Sequence, residues 1–499
     1  MSHISYITRA SLSFALLVAV NSMTGWQPCA PSSEIANFQL LLNLIGPLTY
    51  SFSWLICLAI GFFAPNIFRA PVSIIALGLI YANMGITYAN QVGLILPLEL
   101  LIIGTVANNI GAPLFYLLWE QYFASEDDDQ CIADILAGRG LPVLFFILLG
   151  ALPEGVISTT LRAIIFLGVT IAIFQHYRTI DWNSPQFSDT PRDHIPTYKH
   201  AMILSWKGAL CIGSLAFLYT TLQTAFTGGS PLTGALTYAP LWGMLIAATI
   251  IMALWQHRSF SFNVVTTFRS TFPLLLILLV ALPFFAGGLP SFTYGIVYGY
   301  FSLLICIGMV QCSQTCKRAG INPIFMFGFY LGITNFMHFI GYLSGAILVT
   351  NNFFGQPHWF VIALISMFAI SLVFFLIRGD LDPKTAAFTS AEFLALDTSN
   401  ATEQPTEKRM RRSGEVATYL DRTAKQCATL GARYRLTARE TEVLELLARG
   451  NTVPGIAETL VVSQGTVQTH CKRLYAKLGI HKRQELIALV ADTENNVKD

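Results

Sequence analysis

Long apolar blocks separated by brief polar connections fill this chain up to about residue 378, and the pattern then changes abruptly. Twelve blocks can be marked, near 8–26, 38–63, 70–88, 93–118, 141–158, 160–178, 203–224, 235–255, 271–289, 291–310, 323–349 and 357–377. Each has the length that carries a helix across a hydrocarbon core of about 30 Å. Ser and Asn dilute the first block, where a signal peptide is the rival reading, with Arg9 as its charged end and SFALLVAVNS as its apolar stretch. The polar stretch HYRTIDWNSPQFSDTPRDHIPTYKH lies between the sixth and seventh blocks and divides the set into six and six.

Beyond the last block the pattern predicts a linker and a small helical domain. Residues 379–414 are rich in Thr, Ser, Asp, Glu and Pro, lack apolar periodicity, and predict a flexible cytoplasmic linker ending in the basic run KRMRR. Residues 415–432 predict an amphipathic connecting helix, with Val416, Leu420, Ala424, Cys427 and Leu430 at helical spacing, packed on the domain that follows. Within 433–499, Thr437 and Glu440 form a capping box ahead of the inward face Val443, Leu444 and Leu447, and Gly450 stops that helix. A second short helix runs through IAETL. A third starts at the cap Ser463 and reaches about Leu478, with Gly479 beyond it. On the third helix Val467, Cys471, Leu474 and Leu478 share one face, so Gln468, Thr469, Lys472 and Arg473 fall on or near the other. A fourth, QELIALVAD, offers Leu486, Ile487 and Val490 as an apolar stripe.

Composition sharpens this picture. Hydrophobic residues make up 54% of the 499 and charged ones 12%, too few charges to cover the surface of a soluble protein of this size. The formal charge of +2 matters less than its distribution. With the N-terminus inside, the inner connections receive Arg69, Arg139, Arg178, Arg192, Lys199, Arg258, Arg269, Lys317, Arg318, Arg378 and Lys384, and the outer ones only Arg162. The positive-inside rule then places both ends in the cytoplasm, where a cell without a nucleus keeps its DNA. Nine scattered cysteines give no disulfide framework, and the CxxxC of Cys312 and Cys316 has no His beside it, so plain thiols are expected rather than a metal site. No phosphate loop, nucleophile elbow or HExxH is present, so neither an enzyme nor a cofactor is expected.

Polar groups within apolar blocks mark where a ligand would be held, because a charge there costs several kcal/mol on the order of insertion scales and turns toward the bundle interior. Glu99, Asn108 and Asn109 lie in the fourth block, Asn83 in the third, and Asn335 and His338 in the eleventh. Glu154 and Arg162 flank a tight outer turn where they can neutralise one another. Asn and His in spans also bond neighbouring helices, and Arg near a span end also snorkels. The aromatic run FMFGFYLGITNFMHF suits either an apolar or aromatic ligand or ordinary helix packing.

Two resemblances follow from these residues. The string Leu436, Thr437, Arg439, Glu440, Glu442, Val443, Leu444, Gly450, then Ile456, Ala457, Leu460, Ser463, Thr466, Val467, His470, Tyr475, Lys477, Leu478, Gly479, Arg483 and Glu485 is similar to the LuxR-type DNA-binding domain. That resemblance implies a helix-turn-helix whose second helix enters the major groove, with Gln468, Thr469 and Lys472 at base-reading positions. Lys472, Arg473, Lys477 and Arg483 are then partners of DNA, His470 a packing residue, and the last helix a homodimer surface suited to a palindromic site. Gln468 stands where that family usually has Lys, which moves the expected preference from guanine toward adenine. The six-plus-six layout resembles the major facilitator superfamily. The loop GFFAPNIFRAPVS lacks the acid of that superfamily's signature between spans two and three, which speaks against active transport. The expected fold is therefore all-α: a polytopic twelve-helix transmembrane bundle over 1–378, then a LuxR-type helix-turn-helix. The expected function is a one-component regulator that senses a small molecule in the membrane. A secondary transporter with a DNA-binding tail, and a constitutive regulator on a passive anchor, are its rivals.

Overall fold

A computed structural model describes residues 7–22, 35–66, 71–94, 96–150, 156–227, 235–282, 289–350, 358–378, 390–393, 426–427, 429–448, 453–460, 462–480, 482, 485–486 and 489–490. They form two units, a larger one of Met1–Lys317 and Ile321–Thr402 and a smaller one of Arg318–Gly320 and Glu403–Asp499. In the larger unit the helices are α1 Arg9–Ser22, α2 Ile35–Phe63, α3 Pro71–Gln91, α4 Leu98–Ser125, α5 Asp128–Gly140, α6 Pro142–Gly150 and α7 Val156–Tyr177. A short α8, Pro185–Ser188, precedes α9 Ile195–Thr227, α10 Ala235–His257, α11 Val264–Ala281, α12 Leu289–Ala319, α13 Pro323–Thr350 and α14 His358–Leu376. Among the described residues, nine helices are long and apolar enough to cross a membrane, α5 and α6 counting as one, and the chain is a multi-pass membrane protein. The three remaining expected spans are α1, α3 and α14; the described apolar parts of α1 and α14, Arg9–Asn21 and Phe360–Leu376, are shorter.

Two crossings between the expected sets of six are paired. Counting α5 and α6 as the fifth span, the second span (α2) packs on the eleventh (α13), and the fifth packs on the eighth (α10). Advancing each span by six exchanges these two contacts, as a bundle of two similar halves requires. Small residues permit the approach. A Cβ at Gly61 of α2 would stand 2.8 Å from Ile324 Cγ2 on α13, and one at Gly243 of α10 would stand 2.7 Å from the Gly295 carbonyl on α12. Without a hydrophobic force between helices in lipid, such backbone proximity is what dispersion can use.

Three spans begin well ahead of expectation. The fifth span begins at Asp128 rather than near 141, because the polar-looking DDQCIADILAGRG is helical. Asp128 and Asp129 sit at its positive N-terminal end, and Asp128 pairs with Lys317 of α12 at 2.8 Å. Arg139 is thus inside a helix of the bundle and not in an inner loop. The ninth span begins at Val264 rather than 271, started by Asn263, whose Oδ1 accepts from Val265 N (2.9 Å) and Thr266 N (3.2 Å). The seventh begins at Ile195, and its Tyr198 hydroxyl accepts from Asn322 N at 2.9 Å and donates to Asp189, tying the central connection to the turn before α13.

The linker expectation is corrected over one stretch. Ser390–Phe393 forms a strand, β2, antiparallel to β1 at Phe260–Asn263, which precedes α11. Alternation decides which face is buried: Ala391 and Phe393 are fully buried, while Ser390 and Glu392 are only partly so. The Phe393 ring stacks on Phe260 at 4.7 Å and meets Trp255 of α10 edge-on. Gln314 of α12 holds the strand's free edge from the side: its Nε2 donates to the Glu392 carbonyl and its Oε1 accepts from Glu392 N, both at 2.8 Å. The rest of the expected linker lies outside the described residues. Apart from this ribbon the described architecture is all-α.

Candidate functional site

In the smaller unit three helices, α15 Ala438–Ala448, α16 Val453–Leu460 and α17 Gln464–Leu478, enclose a core of Val443, Leu444, Leu447, Ile456, Val467 and Leu474. Cys427 and Leu430, from the expected connecting helix, are buried in the same core. Val416, Leu420 and Ala424 lie outside the described residues. The capping box is fully made: Thr437 N donates to Glu440 Oε2 (2.8 Å) and Glu440 N donates to Thr437 Oγ1 (3.2 Å). Ser463 caps α17, accepting from Thr466 N at 3.1 Å, and Gly479 closes it in the left-handed region at φ 69°.

These two ends fix the rotation of α17. Val467, Leu474 and Leu478 are buried, so at about 100° per residue Gln468, Thr469, Lys472 and Arg473 must emerge on the opposite side, and all four are exposed. Among the described residues, no hydrogen bond or ion pair occupies Gln468, Lys472 or Arg473. Thr469 alone turns back, donating to the Gly465 carbonyl at 2.9 Å, which leaves its oxygen lone pairs and methyl outward. Two cations and an amide without competing partners, beside a hydroxyl that can still accept, form a surface ready to meet phosphates and base edges. His470 is partly buried and its enclosed Nδ1 makes no hydrogen bond, in keeping with a packing role.

Lys477 is different from its neighbours. Its Nζ pairs with Glu440 Oε2 at 2.6 Å and reaches the Arg435 carbonyl at 3.3 Å, so it joins α17 to the start of α15. Arg435 adopts a left-handed φ of 52°, which turns that carbonyl toward the ammonium. Lys477 thereby holds the carboxyl of Glu440 below its usual range, assisted by the Thr437 amide. The sequence reading placed Lys477 among the DNA partners; the structure gives it an internal one. Leu486 and Val490 are buried in the domain's own core, so the expected dimer stripe is turned inward at these two positions. Ile487 and Arg483 lie outside the described residues.

The membrane positions sort less favourably. Glu99 is not interior: α4 begins at Leu98 after Pro97, and Glu99 is exposed in its first turn, where a carboxylate complements the helix dipole. Asn109 and Asn335 donate to carbonyls of their own helices, Thr105 and Leu331, each at 2.8 Å. Asn83 is buried on α3, with its Oδ1 facing Gly104 of α4. Asn108, with Asn21 and Tyr116, lines a small cavity between α1, α3 and α4 of about 20 Å³, room for a single water. His338 Nδ1 bonds the Tyr219 hydroxyl at 2.7 Å, joining α13 to α9. Arg162 is buried within α7, and Glu154 lies outside the described residues. Asn109 and Asn335 both border α2, at Gly46 and Ser51.

Interior charges were missed, the fully buried Asp134 of α5 among them. Glu120 of α4 is 1% exposed, and Arg139 of α5 sits against Phe14 and Met309. Glu120 falls two residues past the expected end of the fourth block and Arg139 two before the expected start of the fifth, so hydropathy alone assigned both to connections. Cys312 and Cys316 are buried free thiols, and no group of three or more metal-ligating side chains occurs among the described residues.

Residues 434–490 match the family model of the bacterial regulatory proteins of the luxR family. The probable transcriptional regulatory protein NarL of Mycobacterium tuberculosis is 49% identical over 53 residues, 11% of this chain and 24% of that protein. The response regulatory protein YgeK of Escherichia coli is 40% identical over 74 residues, 14% of this chain and 50% of its own length. The spore germination protein GerE of Bacillus subtilis is 40% identical over 52 residues, 10% of this chain and 70% of that protein. This chain therefore spans a quarter to a half of the NarL and YgeK relatives. Among solved structures, a Major Facilitator Superfamily transporter, FucP, in the outward conformation aligns with 74% of this chain and 98% of its own, at 11% identity and a TM-score of 0.48.

Proposed function

Since this chain belongs to the luxR family of bacterial regulatory proteins through its C-terminal domain, we propose that it is a membrane-embedded one-component transcriptional regulator, controlled by a small molecule that its membrane unit binds. The observation that carries this reading is the partner-free face of α17, with Gln468, Lys472 and Arg473 exposed on a helix whose rotation is fixed at both ends. Such a face costs the domain nothing to keep empty and gains charge-assisted contacts when a major groove covers it. The target is double-stranded promoter DNA, with a palindromic site if two copies pair through the last helix. Both chain ends lie on the cytoplasmic side of the inner membrane, where the DNA is.

Control requires the ligand to bind two states of the bundle with different affinity. The route from bundle to tail begins at β2. This strand belongs to the chain leading to the DNA-binding domain, and the membrane unit grips it through β1, Trp255 and Gln314. A shift of α10 against α12 changes that grip and so the freedom of the tail.

The test uses transcripts of the genes flanking this one, in cells carrying the wild-type chain or Lys472→Ala, across a panel of small aromatic and apolar compounds. Induction or repression by one compound in the wild type, absent in the variant, is expected. Identical transcripts in both strains under every compound overturn the reading and leave a passive anchor or a transporter.

A further inference from the structure

The interior of the bundle holds one carboxylate and one guanidinium that do not use each other. Glu120 is 1% exposed, makes no hydrogen bond, and has its Oε2 fully enclosed. Arg139, half-buried, has one hydrogen-bond acceptor, the Met309 thioether on α12 at 3.3 Å, and its enclosed Nε has none. The remaining face of the guanidinium lies over the Phe14 ring of α1, 5.7 Å from its centroid. A guanidinium carries five donors, and a thioether is a weak acceptor. Tyr116, one turn before Glu120 on α4, meets the same Phe14 ring edge-on at 6.3 Å, yet no ion pair joins Glu120 to Arg139.

Leaving both groups in this condition is expensive. An enclosed polar group without a hydrogen-bond partner forfeits its hydration, whereas a direct pair with good geometry recovers much of that loss. The helices α4 and α5 are consecutive and packed together, yet no direct bridge forms between these two groups. What satisfies both groups at their present separation is a third party carrying both charges. A simple anion on Arg139 would leave Glu120 alone beside added negative charge. A simple amine on Glu120 would leave Arg139 alone beside added positive charge. A zwitterion satisfies both and adds no net charge to the interior.

We propose that Glu120 and Arg139 together hold a small zwitterion of the α-amino acid class, its carboxylate on the Arg139 guanidinium and its ammonium on the Glu120 carboxylate. Its side chain is apolar or aromatic, because Phe14, Tyr116, Trp119 and Met309 border the pair. The site draws on α1, α4, α5 and α12, and so on both sets of six spans; α12 also carries Gln314, which grips β2. The proposal rests on the reading of the membrane unit as the sensor, and names the class it senses.

The test takes the full chain in lipid nanodiscs with each of the twenty common L-amino acids as probe, and follows tryptophan fluorescence and thermal unfolding. At least one amino acid is expected to bind. For that one, the amine lacking the carboxylate and the acid lacking the ammonium are expected to bind about tenfold or more weakly, the size of a lost charged hydrogen bond. Glu120→Gln should abolish the preference for the amino acid over its deaminated acid, and Arg139→Gln the preference over its decarboxylated amine. The comparison of analogues on the wild-type chain does not depend on either variant folding. Absence of binding by all twenty overturns the proposal, and so does an acid or amine analogue that binds as tightly as its amino acid. If no amino acid binds while another compound alters transcripts in the wild type and not in Lys472→Ala, this site falls and the regulator stands. If an amino acid binds and transcripts ignore it, the site stands and the sensor reading falls.

Discussion

Replacing Arg473 by Ala isolates the electrostatic part of DNA binding. Arg473 is exposed on α17, makes no bond within the domain, and lies opposite the buried Val467, Leu474 and Leu478. Its removal therefore leaves folding within about 0.5 kcal/mol of the wild type, as for other surface positions away from packing. On DNA the effect is larger, because each phosphate neutralised releases counterions and contributes about −0.9 to the slope of log K against log salt. One contact per copy gives a change of about 0.9 for a single copy and about 1.8 for two copies on one duplex. The assay is fluorescence anisotropy of a labelled duplex of arbitrary sequence with the full chain in nanodiscs, over 50–200 mM salt as the order of magnitude used for such slopes. Arbitrary sequence suffices because this term does not depend on bases. A shallower slope with an unchanged unfolding curve is the expected result. An unchanged slope, with the domain folded, would refute the assignment of this face to DNA.

Other substitutions separate folding from recognition. Lys477→Ala removes the partner of the buried Glu440 but leaves its bonds to Thr437, so the domain should lose about 1–2 kcal/mol, seen as a lower melting midpoint. Because the folded pKa of Glu440 lies below its unfolded value, its contribution is present above about pH 4.5 and fades as pH falls through the folded value; a pH series of melts on Glu440→Gln should show the difference vanish in that direction. Phe393→Ala empties the stack on Phe260, and hydrogen exchange at 390–393 should accelerate by about 100-fold or more, with the helices unaffected. Gln468→Lys should move the selected sites from adenine toward guanine at one position of each half-site, read by selection from a random duplex library.

Much of the tail was legible because its determinants are local. Thr437 and Glu440 lie three residues apart, Ser463 and Thr466 likewise, and the 3.6-residue period alone separates Val467, Leu474 and Leu478 from Gln468, Lys472 and Arg473. Apolar block lengths marked the spans for the same reason, since hydrocarbon thickness sets a length that composition reveals. Errors fell where a helix starts or ends in polar sequence. Glu99 was placed inside a span, and Glu120 and Arg139 outside spans, because a hydropathy block has no sharp end while a helix continues through charged residues that find partners.

Sequence by itself thus determined a multi-span apolar bundle, a capped helix-turn-helix, and which face of its second helix is polar. Tertiary structure decided what each polar group does. Lys477 pairs with Glu440, 37 positions earlier. Residues 390–393 of an apparent linker complete a ribbon with residues 260–263, and Gln314 holds them from 78 positions away. Glu120 and Arg139 meet the same interior without pairing. Periodicity constrains neighbours within a turn or two of chain. Partners brought together across tens or hundreds of residues are selected by packing, and only the folded chain shows which charges are satisfied and which are left waiting.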